Sequence, residues 1–427
     1  MKRYVVKRVR FRNGDRHSVV QVVGGLPIHE VTLFVRKYRT KGRAANTIHL
    51  VCRSLALLYR LLESRRIDLH GRLAEGTFLT ISELENIAVD LQYRADDLDD
   101  ERDEADEPSP VSGKSNVISI ARISFRSKVP AKTPKAVEVG SQANRIRYIA
   151  SYLEFLATYI GATLEPKTRA LLKADVAAAL ESFKEHIPPV PKRAKLGART
   201  GLSIDEQKRL LDVIHPESPL NPWKRPFVRQ RNWLIVVLLL ATGMRKGELL
   251  GLQIGDLLDS EPKFKIIRRA DAQDDPRDEQ PGTKTSDRIV ELSPSIMRAL
   301  LNHINVWRHA IPAARAIPQV IVSEDGKPLT SSSIDKLFLE LRAACPGLPV
   351  TLTSHVMRHT WNERFSEQAE SMGLTDNAEE RARNDQQGWS DNSKMAATYT
   401  RRHTAKKGRE VSLKLQEQLD EQLSHNK

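Results

Sequence analysis

Hydrophobic and polar positions alternate between residues 4 and 22, so the chain opens on a predicted hairpin with strands at 5–11 and 18–23, turning near Asn13-Gly14. At 28–38 the apolar spacing changes to that of a helix. Gly42 punctuates it, and Asn46-Thr47 offers an N-cap ahead of Leu50, Leu55, Leu57, Leu58, Leu61 and Leu62. Helical spacing returns at 144–160, where Ile149, Leu153, Leu156 and Ile160 share one side. It continues at 168–186, which Pro188, Pro189 and Pro191 stop. Ser203-Ile204-Asp205-Glu206 is a capping box that opens a new helix.

The remaining pattern is mostly helical. Helices are predicted at 203–214 and 229–241, then from near Lys246 after a turn at Thr242-Gly243, and at 294–310, 331–344, 355–371 and 376–387. Two short strands, 264–268 and 288–292, interrupt them. Residues 94–140 break every period and read as an insertion or mobile connection, with one strand-like piece at 117–125. The domain plan is therefore a hairpin-like extension at 1–24, a helical domain at 25–192 carrying the insertion at about 94–140, and a second domain at 195–427. Gly408 is expected to break the chain before a C-terminal helix at 409–425, where Val411, Leu415, Leu419 and Leu423 form a stripe.

Charge changes this picture more than composition does. The 427 residues carry a formal net charge of +14, with 40% hydrophobic residues, as in a globular protein. Nine acidic residues and Arg102 between Asp96 and Glu107 contribute −8, so the rest of the chain carries 14 + 8 = +22. Such an excess suits a polyphosphate partner, because each phosphate contact releases condensed counterions. Arg39, Lys41, Arg43 and Arg53 surround the start of the second helix, where backbone N–H groups favour an anion. Lys192, Arg193 and Lys195 lie in the linker, and all seven are candidate phosphate contacts. A solvated helix end and a basic linker are the bland alternatives.

Several classes drop out. The longest apolar run, 233–241, is nine residues, short of the ~20 that cross a bilayer. No apolar stretch follows Met1-Lys2-Arg3 as in a signal peptide, and Cys52 and Cys345 are too few for a disulfide framework or thiolate metal site. A reducing cytoplasm fits, and no metal or cofactor is expected. A metal-dependent nuclease would need clustered carboxylates, and the acidic run 96–107 sits in the predicted connection, where solvation explains it.

Three patterns in the second half carry chemistry. Ala241-Thr242-Gly243-Met244-Arg245-Lys246-Gly247-Glu248-Leu249 ends an apolar helix in a glycine turn and sets Arg245 at the next helix start. Read alone, Arg245 is a surface residue or a partner of Glu248. His355-Val356-Met357-Arg358-His359-Thr360 places His355 and Arg358 three apart, on one helix face. Gly388-Trp389-Ser390 precedes Tyr399-Thr400-Arg401-Arg402, and Tyr399 is the one tyrosine in the second half.

The order of these motifs resembles the tyrosine recombinase (phage integrase) family, strongly over about 200–405 and more weakly over 25–185. The resemblance implies a mainly α fold with a small antiparallel sheet: a helical core-binding (SAM-like) domain and an α+β catalytic domain closing on DNA as a C-shaped clamp. It implies that Arg245 and Arg358 hold the nonbridging phosphate oxygens, where charge accumulates in the transition state. Tyr399 would attack phosphorus, forming a 3′-phosphotyrosyl link and releasing a 5′-hydroxyl. His355 would take part in proton traffic, since a phenol has a pKa of about 10. Lys284, just before the second strand, matches the general acid for the leaving oxygen; Lys263 and Lys265 are the alternatives. Trp389 stands where the family usually has His, and Tyr399 follows it by ten positions, about one more than is common. It can donate an N–H to phosphate or simply pack.

The implied activity is a metal- and ATP-independent site-specific recombinase or integrase that mobilises or integrates a genetic element near the bacterial nucleoid. Its partners would be double-stranded DNA, further copies (a dimer on a site, a tetramer in synapsis, joined through the C-terminal helix) and, in some systems, partner recombinases. A type IB-like topoisomerase or telomere resolvase would share the chemistry. A catalytically silent DNA-binding relative would share only the fold, and the six filled chemical positions argue against it.

Overall fold

In the computed structural model, residues 3–95, 135–189, 200–258, 261–282, 285–390, 393 and 401–425 are described. The chain divides into two compact units, Met1–Phe11 with Arg16–Lys192, and Arg12–Asp15 with Arg193–Lys427. It is mainly helical with two small antiparallel sheets.

The first unit opens on β1 (Tyr4–Arg10) and β2 (Arg16–Val22), paired antiparallel from Tyr4↔Val22 to Arg10↔Arg16. The hairpin is part of the unit's core rather than an appendage to it. Val20 is fully buried, and Arg60 on α2 (Ala45–Ser64) donates to the Tyr4 carbonyl from Nε at 3.0 Å and Nη2 at 2.7 Å. α1 (His29–Thr40) and α2 follow as expected in kind. The cap does not: α2 is capped two residues earlier, at Ala44, and Asn46 Oδ1 accepts instead from Arg8 Nη1 at 3.0 Å.

Two helices went unnoticed in the apolar pattern, α3 (Leu69–Ala74) and α4 (Ile81–Asp90). α4 begins at a full capping box, Thr80 with Glu83. α5 (Val139–Gly161) and α6 (Pro166–Glu185) complete the unit and bury Ile149, Leu153, Leu156, Leu180 and Phe183. α5 starts inside the stretch expected to be insertion. The two ends of that stretch are stitched together: Arg94 N–H donates to Lys135 O at 2.9 Å, and Val137 N–H to Gln92 O at 2.8 Å. Arg145 Nη1 clasps the same place, donating to the carbonyls of Leu91 and Tyr93 at 2.8 and 2.6 Å. The strand-like piece at 117–125 lies outside the described residues.

The second unit holds α7 (Ile204–Ile214), α8 (Pro226–Thr242), α9 (Lys246–Gly251), β3 (Lys263–Ile266), β4 (Arg288–Glu291), α10 (Pro294–Asn302), α11 (Ser331–Ala344), α12 (Ser354–Ser371), α13 (Asp376–Gln387) and α14 (Arg401–His425). The capping box at Ser203 and Glu206 forms as the sequence suggests. The helix expected at 294–310 is α10 followed by a π-helical turn, His303–Arg308. β3 and β4 pair antiparallel from Lys263↔Glu291 to Ile266↔Arg288. α8 is apolar nearly all round because it runs through the core, with Leu234, Ile235, Leu238 and Leu239 fully buried. α14 corrects an expectation: it begins at Arg401 and passes through Gly408 unbroken. A helix-interior glycine costs only about 1 kcal/mol relative to alanine, which the flanking turns absorb.

Candidate functional site

The site is built on the turn that ends α8. Gly243 has φ +62°, the left-handed conformation that closes a helix, and a Cβ there would stand 2.8 Å from the Trp361 ring. Glycine is thus required twice, by conformation and by space. Two residues on, Arg245 caps α9. Its backbone N–H donates to Glu248 Oε2 at 3.0 Å and its Nη1 to Oε1 at 3.2 Å. The Glu248 side chain is fully buried and also accepts from Thr285 Oγ1 at 2.6 Å and Arg288 Nη2 at 2.8 Å. Burial pushes the Glu248 pKa up. The Arg288 charge and the hydrogen bonds from Arg288, Thr285 and the Arg245 backbone N–H pull harder the other way and hold it at about 2, so the carboxylate is ionised.

α12 supplies the second arginine. Thr353 caps the helix, accepting from Val356 N–H at 3.3 Å. Arg358 is 1% exposed; its Nη1 donates to the Gly243 carbonyl at 2.7 Å, and its guanidinium lies 5.2 Å from the Trp389 ring centroid. His355, one turn earlier, is exposed and meets the buried His359 ring edge-on at 4.8 Å. The helix is braced from behind. Asn362 Nδ2 donates to Arg358 O, while fully buried Arg383 on α13 donates to Asn362 O and Ser366 Oγ and pairs with Glu379. α13 ends at Gly388 (φ +61°), whose carbonyl accepts from Ser286 N–H at 3.1 Å. That bond ties the approach to β4 beside Trp389.

Arg245, His355, Arg358 and Trp389 therefore belong to one connected constellation: the Gly243 carbonyl, the α12 face and the Trp389 ring join them. Lys284 and Tyr399 lie outside the described residues. Thr285, next to Lys284 in the chain, is fixed on Glu248. Of the alternative lysines, Lys263 is engaged by Glu261 at 2.7 Å and Glu291 at 2.9 Å, which raise its pKa, and Lys265 is exposed on β3. Residues 202–405 match the phage integrase family model. The chain carries a phage integrase domain.

Tyrosine recombinase XerD of Staphylococcus haemolyticus (strain JCSC1435) is 27% identical over 161 residues, covering 36% of this chain and 49% of that protein. The match thus spans about half the relative's length. Among solved structures, XerA recombinase is 17% identical, with 87% of this chain and 92% of that chain covered and a TM-score of 0.35. XerH bound to a palindromic difH substrate is 18% identical, with 65% and 79% covered and a TM-score of 0.41. The family match covers residues 202–405, just under half of the chain.

Sequence reasoning did not single out Thr285, Arg288 or Arg383 around the integrase domain's site. A buried arginine on a short strand leaves no periodic signal, and Arg383 sits in a helix whose other faces are charged. In the first unit, Lys41, Arg43 and Arg53 are exposed and Arg39 is half-buried at the end of α1. The Arg53 charge acts on His49 and on Arg145, which places it near both. Lys192, Arg193 and Lys195 lie outside the described residues. Among the described residues, no helix is long and apolar enough to cross a membrane.

Proposed function

We propose that this protein is a site-specific DNA recombinase or integrase that cuts and rejoins DNA through a 3′-phosphotyrosyl intermediate. The observation that carries the reading is the Arg358 guanidinium, buried against Trp389 and bonded to the carbonyl two residues before Arg245, inside a phage integrase domain. A guanidinium held there is a permanent charge with a planar fork of donors, the geometry that suits the nonbridging oxygens of a phosphodiester.

In this reading Arg245 and Arg358 bind the nonbridging oxygens and stabilise the charge that builds as Tyr399 attacks phosphorus. His355 helps move the phenol proton, Trp389 packs under Arg358 and lines the phosphate, and Lys284 protonates the departing 5′-oxygen. The phosphotyrosyl bond keeps the energy of the phosphodiester, so a 5′-hydroxyl from another strand restores DNA without metal or ATP. Arg39, Lys41, Arg43, Arg53, Lys192, Arg193 and Lys195 supply phosphate contacts that set affinity. Val411, Leu415 and Leu419 on α14 are 59%, 62% and 54% exposed, which supports pairing with a neighbouring copy, as a dimer on one site and a tetramer in synapsis.

A nicked suicide substrate tests the proposal. The wild type should form a covalent protein–DNA adduct, and Tyr399→Phe should bind DNA equally but form none. An adduct that persists in Tyr399→Phe would refute the assignment.

A further inference from the structure

We infer that Arg288 is a positioning residue: it neutralises the buried Glu248 carboxylate and so keeps the Arg245 guanidinium available to a phosphate. The inference rests on the strand-cleavage reading above and names a part of its machinery.

Among the described residues, two cations pair with Glu248, and they differ in depth. The Arg288 side chain is 5% exposed, the Glu248 side chain 0%, and the Arg245 side chain 26%. Glu248 thus has an inner cation and an outer one facing solvent. The inner contact is also the shorter, 2.8 Å for Arg288 Nη2 against 3.2 Å for Arg245 Nη1. One carboxylate between two guanidiniums leaves a cluster of charge +1, and Arg245 is its accessible member. Without Arg288 the cluster would sum to zero. Arg245 would then be the lone counter-ion of a buried carboxylate, its fork would close on Glu248, and a phosphate would have to compete for it.

The fold fixes Arg288 independently of any ligand. It opens β4, pairs with Ile266 across the sheet, and follows Ser286, whose N–H is bonded to Gly388 O. Thr285 completes the arrangement by donating to Glu248 Oε1 at 2.6 Å, the oxygen that Arg245 Nη1 also contacts, so that oxygen is already partly satisfied. The short β-sheet therefore sets the electrostatics of the arginine one helix away.

The test compares adduct formation on a phosphodiester with that on a methylphosphonate, in which a neutral methyl replaces one charged nonbridging oxygen. Arg288→Met should slow single-turnover cleavage of the phosphodiester by roughly 10²-fold, the scale for losing one transition-state donor. On the methylphosphonate, which asks less of Arg245, the loss should be under about 5-fold relative to the wild type on that substrate. Glu248→Gln added to Arg288→Met removes the charge that captures Arg245 and should recover at least about 10-fold on the phosphodiester. Should Arg288→Met fail to fold, the double variant decides: a rate within about 10-fold of the wild type supports the inference. Equal slowing of both substrates, or no recovery in the double variant, overturns it and leaves Arg288 a structural residue. Failure of the wild type to form any adduct would instead remove the parent reading.

Discussion

Gly243→Ala is the most direct perturbation of the site, because the turn at Gly243 leads into Arg245 and its carbonyl accepts from Arg358. At φ +62° a Cβ costs about 1–2 kcal/mol. The same methyl would lie 2.8–2.9 Å from three atoms of the Trp361 ring, so the ring or the turn must move, adding about 1–3 kcal/mol of overpacking. The sum is about 2–5 kcal/mol, or roughly 4–20 °C in Tm for a unit of this size. All five tryptophans, at 223, 233, 307, 361 and 389, lie in the second unit, so tryptophan fluorescence follows that unit's unfolding separately. Trp361→Ala removes the clash, and the two changes together should be less destabilising than their sum by at least about 1 kcal/mol. Adduct formation should fall further than stability predicts, because the Gly243 carbonyl holds Arg358. A Tm shift below about 2 °C, or strict additivity with Trp361→Ala, would refute the reasoning.

Lys284→Ala should slow cleavage strongly on ordinary DNA and much less on a substrate with 5′-bridging sulfur, which leaves without a proton; equal slowing would reassign Lys284 to phosphate binding. Truncation after Lys407 should leave tryptophan-detected unfolding and single-site DNA binding nearly intact while synapsis fails, and normal recombination by the truncated protein would make α14 dispensable. His303 is fully buried, and burial together with the charges of Arg231 and Arg308 pushes its pKa down to about 4. Between pH 6.5 and 4 the unfolded chain takes up a proton there that the folded chain refuses, so stability should fall across that window by on the order of 3 kcal/mol. His303→Phe should flatten that part of the pH profile; an unchanged profile would show that other groups govern it.

What the sequence discloses, and what it hides, follows from the range of each interaction. The Ser203 capping box, the α8 core run and the α12 span are local or periodic, and they are legible residue by residue. The cap of α2 misleads because Asn46 has a stronger use, accepting from Arg8 across 38 residues of chain. α3 and α4 escape because a six-residue and a ten-residue helix give too few periods, although Thr80 and Glu83 mark the start of α4. Gly408 reads as a break, yet glycine is only a weak one inside a 25-residue helix. In the site, Arg245 and Arg358 stand out by their motifs. The link from Arg245 through Glu248 to Arg288, 40 residues further along, is made only in the folded chain and has no sequence period at all.

The seam at Gln92–Arg94 and Lys135–Val137 has an architectural consequence. Because the chain leaves and re-enters the first unit through adjacent residues, the 39 positions from 96 to 134 form a detour whose two mouths touch. Ends joined in this way are topologically separable from whatever links them: for a flexible replacement segment, closure between them costs only about 0.6 kcal/mol more per doubling of its length. Such a port tolerates exchange of its cargo. A reporter peptide or a short glycine–serine bridge should therefore be accepted between the two ends, which Arg145 helps hold together, without redesign of the helices beneath.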